Sequence, residues 1–254
     1  MDQIAEIIAK INRQESTPSS TQATLPTTKY KCDKCEDMEF VLDHKTNTAY
    51  PCECRERRLY ERILENSGIS EAFKEKGLKN YNANTDERMK AKEMATKYVK
   101  NFEEDRKSIA FLGQPGAGKT HLSIAIANNL MAKNIGVRYF PYRETITQIK
   151  QVAMDNLEYQ KELNKYKTAK VLLVDDLFKF AVQENQYGKK VNDADMRVMF
   201  EIINHRYLNK MPIIISSEYT WEQLIEFDDA VGSRIVEMCK PNIFTFRGTH
   251  LNYR

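Results

Sequence analysis

Ile109-Ala110-Phe111-Leu112-Gly113-Gln114-Pro115-Gly116-Ala117-Gly118-Lys119-Thr120 is the stretch that decides the fold of this chain. Its four leading apolar residues read as a short buried strand, and they run directly into a complete Gly-x-x-x-x-Gly-Lys-Thr. Residues 121–131 then carry the pattern of a helix. A strand, a glycine-rich loop and a helix in that order make a cradle for phosphate. The glycines let backbone N–H groups turn inward around an anion, and the helix N-terminus adds partial positive charge where the anion sits. Gly113, Gln114, Pro115, Gly116, Ala117, Gly118, Lys119, Thr120 and His121 are therefore the expected nucleotide-binding set, for ATP or ADP. Lys119 should reach the β- and γ-phosphates, and the Thr120 hydroxyl should ligate the Mg²⁺ that bridges them. A ligand-free strand–helix turn has no need of the whole pattern.

Outward from this loop, short apolar runs alternate with helix-length segments. The runs 109–112, 137–140, 171–174, 213–215 and 243–246 predict a five-stranded parallel sheet covered on both faces, an α/β fold. Before the first of them, residues 87–102 read as a helix with Met89, Met94, Tyr98 and Phe102 on one side. The run Val171-Leu172-Leu173-Val174 ends in Asp175-Asp176, the acidic partner that a phosphate loop requires. Asp175 is expected to hold Mg²⁺ through water, and Asp176 to orient or deprotonate the attacking water. An apolar strand ending in two aspartates is by itself often a turn or a helix cap, so its meaning comes from the loop it accompanies.

The N-terminal quarter has a different character. Ile4, Ile7, Ile8 and Ile11 lay one apolar stripe along a short helix, and residues 15–28 are Ser/Thr/Pro-rich, with too little apolar surface to fold. Next come Cys32-Asp33-Lys34-Cys35 and Cys52-Glu53-Cys54, four of the five cysteines. Two close thiolate pairs can close a tetrahedral Zn²⁺ site, and a region this short has little other means of staying folded. Phe40-Val41-Leu42 and Thr48-Ala49-Tyr50 between them look like a hairpin, giving a zinc ribbon. His44 is the alternative ligand, but its place in the hairpin turn favours Cys32, Cys35, Cys52 and Cys54. Cys239 stands alone and reads as a small core residue. The expected division is 1–28 helix and linker, 29–66 zinc module, and 67–254 motor.

Across 254 residues, 39 basic side chains stand against 36 acidic ones, a net charge of +3, so contact with nucleic acid has to be local. No apolar run approaches the roughly 18 residues of a membrane span, and residues 1–10 lack the marks of a secretory signal. A cytoplasmic protein with no membrane partner is expected, and in that reducing setting close cysteines point to metal.

Taken in order, Cys-x-x-Cys, Tyr50-Pro51-Cys52-Glu53-Cys54-Arg55, the phosphate loop, Leu173-Val174-Asp175-Asp176-Leu177 and Gly232-Ser233-Arg234-Ile235 resemble the DnaC/DnaI group of AAA+ replicative helicase loaders, phage and mobile-element versions included. The resemblance covers nearly the whole chain from about Lys31. It implies an AAA+ ATPase that binds a hexameric replicative helicase and single-stranded DNA and self-associates on the helicase. It also implies roles for single residues. Arg234 matches an arginine finger acting in trans on a neighbouring subunit's γ-phosphate. Residues 142–150 lie where the group has a helix facing single-stranded DNA, which makes Arg143 and Lys150 candidate contacts. Ser216, Ser217 and Glu218 fall at the end of the sensor 1 strand, where a glutamate replaces the usual amide, and Arg254 closes a terminal box suggestive of a second sensor. Two other readings share the loop: a transposition helper ATPase of the IstB kind, which usually lacks the cysteine ribbon, and a small-molecule kinase, for which the chain supplies neither lid nor acceptor pocket.

Overall fold

A computed structural model of the chain describes residues 30–43, 46–185 and 188–247. The Ile4–Ile11 stripe, the 15–28 linker, His44 and Arg254 lie outside these residues. The chain divides into two compact units, Met1–Cys52 and Glu53–Arg254.

In the first unit, β1 (Phe40–Asp43) pairs antiparallel with β2 (Thr48–Pro51), Phe40 facing Pro51 and Asp43 facing Thr48. The hairpin expected from the sequence is present, one residue longer on each strand. A tight turn precedes it: Met38 N–H donates to the Cys35 carbonyl at 2.9 Å, and the Asp37 carboxylate accepts from Cys32 N–H at 3.0 Å. Met38, Phe40, Leu42 and Tyr50 are exposed on this small unit.

The second unit begins with α1 (Cys54–Ser67), α2 (Glu71–Lys74) and α3 (Asp86–Asp105). There follow β3 (Ile109–Gly113), α4 (Lys119–Ala132), β4 (Val137–Pro141), α5 (Tyr142–Gln151) and α6 (Asn156–Lys167). After β5 (Val171–Asp175) come a hairpin of β6 (Val182–Asn185) and β7 (Gly188–Val191), then α7 (Asp193–Leu208). The chain continues through β8 (Ile213–Ser216), α8 (Trp221–Phe227), α9 (Asp229–Cys239) and β9 (Ile243–Phe246). Five strands form one parallel sheet in the order β4-β5-β8-β3-β9.

The strand sequences are apolar at nearly every position because both faces of the sheet are covered. Val171 and Leu173 enter a core shared with Leu122 and Ile126 of α4 and Phe102 of α3. Leu172 and Val174 enter the opposite core with Ile149, Leu163, Ile202 and Ile235 from α5, α6, α7 and α9. Cys239 is fully buried there, as a small core residue. All five expected strands form. Helix α3 forms over the expected residues, but its buried stripe is Ala91, Ala95, Tyr98, Val99 and Phe102, and Met89 is 46% exposed. Small alanines let α3 approach α4 closely, and a reading keyed to large side chains misses them. The β6–β7 hairpin has no signal in the sequence, because its residues are mostly polar and exposed and carry no core periodicity.

Candidate functional site

The phosphate loop sits where β3 hands over to α4, and the helix starts at Lys119, two residues earlier than its periodicity suggests. Gly118 caps it with φ +91°, a left-handed backbone that favours glycine. A Cβ at Gly118 would also meet the Tyr81 ring at 2.8 Å, so the position admits no side chain. The Lys119 ammonium is folded into the loop, donating to the carbonyls of Gly113 at 2.7 Å and Gln114 at 2.8 Å. Burial pushes its pKa down to about 8, against the pull of Glu218, Asp176 and Asp175.

Tyr81, Arg88 and their neighbours wall the loop. The Tyr81 hydroxyl donates to the Ala117 carbonyl at 3.1 Å, and the nearly buried Arg88 donates from Nη2 to the Gly116 carbonyl at 3.2 Å. His121 Nε2 lies 3.0 Å from the Gly77 carbonyl and 3.1 Å from Asn80 Oδ1, with its ring edge-on to Tyr81. A cavity of about 510 Å³ opens between these residues and the ends of the central strands, bordered by Lys119, Thr120, Asp176 and Glu218.

Asp175, at the end of β5, is 6% exposed and held by three hydroxyls. Thr120 Oγ1 donates to it at 2.9 Å and the Tyr139 hydroxyl at 3.1 Å, and Ser216 Oγ donates to the same carboxylate. Burial pushes its pKa up, while the hydrogen bonds from Ser216, Thr120 and Tyr139 work the other way. Ser216 Oγ also accepts from the Asp176 N–H at 2.9 Å, so one serine fixes both aspartates. Asp176 itself has φ +56°, and Lys179 Nζ lies 2.7 Å from its carboxylate and 3.1 Å from that of Glu218. A lysine and a hydroxyl side by side with a paired-aspartate strand end, around an anion cradle, can bind a triphosphate with a divalent cation.

Such a cleft, in such a sheet, is the working part of a nucleotide-binding domain, and residues 22–239 match the family described as IstB-like ATP binding protein. The chain belongs to that family. Among its relatives is the phage-like element PBSX protein XkdC of Bacillus subtilis (strain 168), 37% identical over 238 residues, 89% of this chain and 86% of that one. The replicative helicase loader DnaC of Escherichia coli (strain K12) is 24% identical over 178 residues, 70% of this chain and 68% of that one. In three dimensions, a crystal structure of the DnaC helicase loader superposes with a TM-score of 0.57 at 24% identity, covering 70% of this chain and 100% of that one. The fold is thus that of an AAA+ domain, and the resemblance to the DnaC/DnaI group stands.

Elsewhere in this IstB-like protein, the expected residues fall as follows. The Sγ atoms of Cys32, Cys35, Cys52 and Cys54 all lie within 4.8 Å of one another. Cys32 and Cys52 Sγ are 3.8 Å apart. Ligation of Zn²⁺ at about 2.3 Å in a tetrahedron spaces sulfurs about 3.8 Å apart, so the donor set fits that ion. Arg234, on α9, is outside the lining of the cleft. Its Nη1 donates to the Ala230 carbonyl at 2.5 Å, and its guanidinium packs 5.4 Å from the Phe200 ring and 5.7 Å from Tyr207. Gly232 of the same box is there for packing, since a Cβ would meet the Leu224 carbonyl at 2.4 Å. Arg143 is exposed beside the exposed Phe180 ring, 5.2 Å away, whereas Lys150 is paired with Asp195 at 2.6 Å. Ser217 is buried and donates to the Leu177 carbonyl at 2.9 Å, away from the aspartates that Ser216 holds.

Sequence reasoning misses Tyr81, Arg88, Tyr139 and Lys179, and it places Ser216 at the end of the sensor 1 strand without its bonds to Asp175 and Asp176. Tyr139 and Ser216 lie 36 and 41 positions from the aspartate they bond, and Tyr81, Arg88, Tyr139 and Lys179 belong to no motif. Only Lys179, three residues after Asp176, offers a local hint of charge pairing.

Proposed function

We propose that the protein is an ATP-dependent loader that binds a hexameric replicative DNA helicase and delivers it to single-stranded DNA in replication initiation, hydrolysing ATP to ADP and phosphate. The observation that carries the reading is a four-thiol cluster followed, later in the same chain, by a phosphate-loop cleft. That order is the one the DnaC/DnaI resemblance implies, and a relative named as a replicative helicase loader supports it. In this reading Lys119 holds the β- and γ-phosphates, while Thr120 and Asp175, already hydrogen-bonded to each other, hold Mg²⁺. The cation would offset phosphate charge. Asp176 orients the attacking water, and Arg234 serves a neighbouring subunit's site once it leaves its aromatic stack, so activity needs self-association. Residues 29–66 form a zinc module whose exposed Met38, Phe40, Leu42 and Tyr50 suit protein docking, together with the segment before it. Residues 67–254 form the motor, with Arg143 beside Phe180 the better placed of the two DNA candidates, because Lys150 must first give up Asp195. Sensor roles for Glu218 and Arg254 belong to the same reading, as does a cytoplasmic location; no described helix is long and apolar enough to cross a membrane.

The test is retention of the host replicative helicase by the full-length protein, with ATP and with ADP. Helicase retained in a nucleotide-dependent way is expected, and no retention under either condition would sink the loader reading. A second reading, a transposition helper ATPase, is favoured by the IstB-like family description. It predicts no helicase retention and ATP-dependent assembly on duplex DNA.

A further inference from the structure

Three carboxylates converge on the phosphate-loop cleft. Asp175 ends β5 and Asp176 follows it, Glu218 follows the neighbouring β8, and Asp176 and Glu218 both border the cavity that Lys119 faces. Left alone, the latter two would repel the terminal phosphate of a triphosphate. Lys179 stands between them, at 2.7 Å from Asp176 and 3.1 Å from Glu218, with its side chain only 18% exposed. An exposed pair three residues apart is ordinarily worth little. This one bridges two strands, is mostly enclosed, and is put in place by an unusual backbone. Asp176, Phe178 and Phe180 have φ of +56°, +64° and +62°, all non-glycine residues in the left-handed region. Such a turn persists only where its surroundings over-determine it. Here the buried Leu177 and Phe178 anchor it, Leu177 N–H donates to the Ser216 carbonyl at 2.9 Å, and Ser217 Oγ donates to the Leu177 carbonyl at 2.9 Å. The chain is thereby bent back so that Lys179 covers Asp176.

We propose that Lys179 is a positioning residue of the nucleotide site: it neutralises Glu218 and fixes the Asp176 carboxylate, which lets a cleft with three acidic side chains accept a triphosphate. The inference rests on the ATPase reading above. It makes the glutamate at the sensor position and the lysine after the aspartates a single unit, each explaining the other.

The full-length protein and its Lys179→Met, Lys179→Arg, Glu218→Gln and Lys179→Met/Glu218→Gln variants would be titrated with fluorescent ATP and ADP analogues, and kcat and KM measured. Lys179→Met should lose about tenfold more affinity for ATP than for ADP, because only ATP brings a γ-phosphate to the uncovered carboxylates. Its kcat at saturating ATP should also fall at least tenfold. Lys179→Arg should restore both. Adding Glu218→Gln to Lys179→Met should restore ATP affinity and leave kcat low, since Asp176 stays unpositioned. Equal losses for ATP and ADP, or no rescue of ATP affinity in the double variant, would overturn the proposal. Should Lys179→Met fail to fold, Glu218→Gln alone decides: ATP affinity should rise several-fold over ADP affinity, and an unchanged ratio overturns the proposal. A wild-type chain that binds neither nucleotide would overturn the ATPase reading and this proposal with it, a result distinct from either of those.

Discussion

Nucleotide affinity should fall as pH rises above about 8, and the cause is a single ammonium group. Lys119 is buried in the phosphate loop, and that burial pushes its pKa down to about 8. Phosphates beside it favour the charged form, so binding takes up a proton wherever the nucleotide-free site has lost one. At pH 9 about one nucleotide-free site in eleven retains the cation, and affinity should drop roughly tenfold, or about 1.4 kcal/mol, for each pH unit above 8. The loss continues until the pKa of the bound state is reached. Three groups in or beside the cleft move away from that window. The Tyr81 hydroxyl is pushed up to about 12 by burial, His121 is lowered from 6.5 by burial, and Lys179 is raised by its hydrogen bonds to Asp176 and Glu218 despite burial. The terminal phosphate of the nucleotide, with a second pKa of about 6, is already ionised. Stability of the nucleotide-free protein should run the opposite way. The folded value lies below the unfolded one of about 10.4, so the unfolded chain holds more protons between the two, and stability rises with pH from about 8 to 10.4. Calorimetric titration with Mg·ADP from pH 7 to 9.5, in buffers of different ionisation enthalpy, measures both the affinity and the proton taken up. A flat affinity across that range, or proton release on binding, would refute the reasoning. Lys119→Ala should bind weakly with no such pH dependence and should abolish turnover.

Arg234→Ala should leave ATP binding nearly unchanged in the isolated chain and depress hydrolysis only in assemblies that join subunits; equal loss of binding would make Arg234 a structural residue held by Phe200 and Tyr207. One Zn²⁺ per chain should appear by elemental analysis, and Cys32→Ser with Cys52→Ser should release it; a folded sample without metal would refute the assignment. Gly232→Ala should destabilise the motor by about 1–3 kcal/mol in denaturant melts, because the new Cβ meets backbone of α8. A melt unchanged from wild type would show that the helix pair yields freely.

The phosphate loop, the aspartates at the end of β5, the thiol pairs and the five strands can all be read from the chain because each is contiguous. Local spacing alone places Lys119 and Thr120 at the start of a helix, and apolar runs of four or five residues announce strands covered on both sides. Met89 is misplaced by a reading that follows side-chain size; the alanines that permit close helix packing look featureless in sequence. What holds the site together was decided by tertiary structure. Parallel strands bring Tyr139, Asp175 and Ser216 side by side from three separate runs, and a short hydrogen-bonding group has no periodic signature to betray it. Tyr81 and Arg88 reach the loop from a segment before the first strand of the parallel sheet. The meaning of Glu218 changed most. In the sequence it is an acid where an amide is expected, and in the fold it shares with Asp176 a lysine that a strained turn carries to both, because only the packing of β5 against β8 sets those two strand ends within reach of one ammonium group.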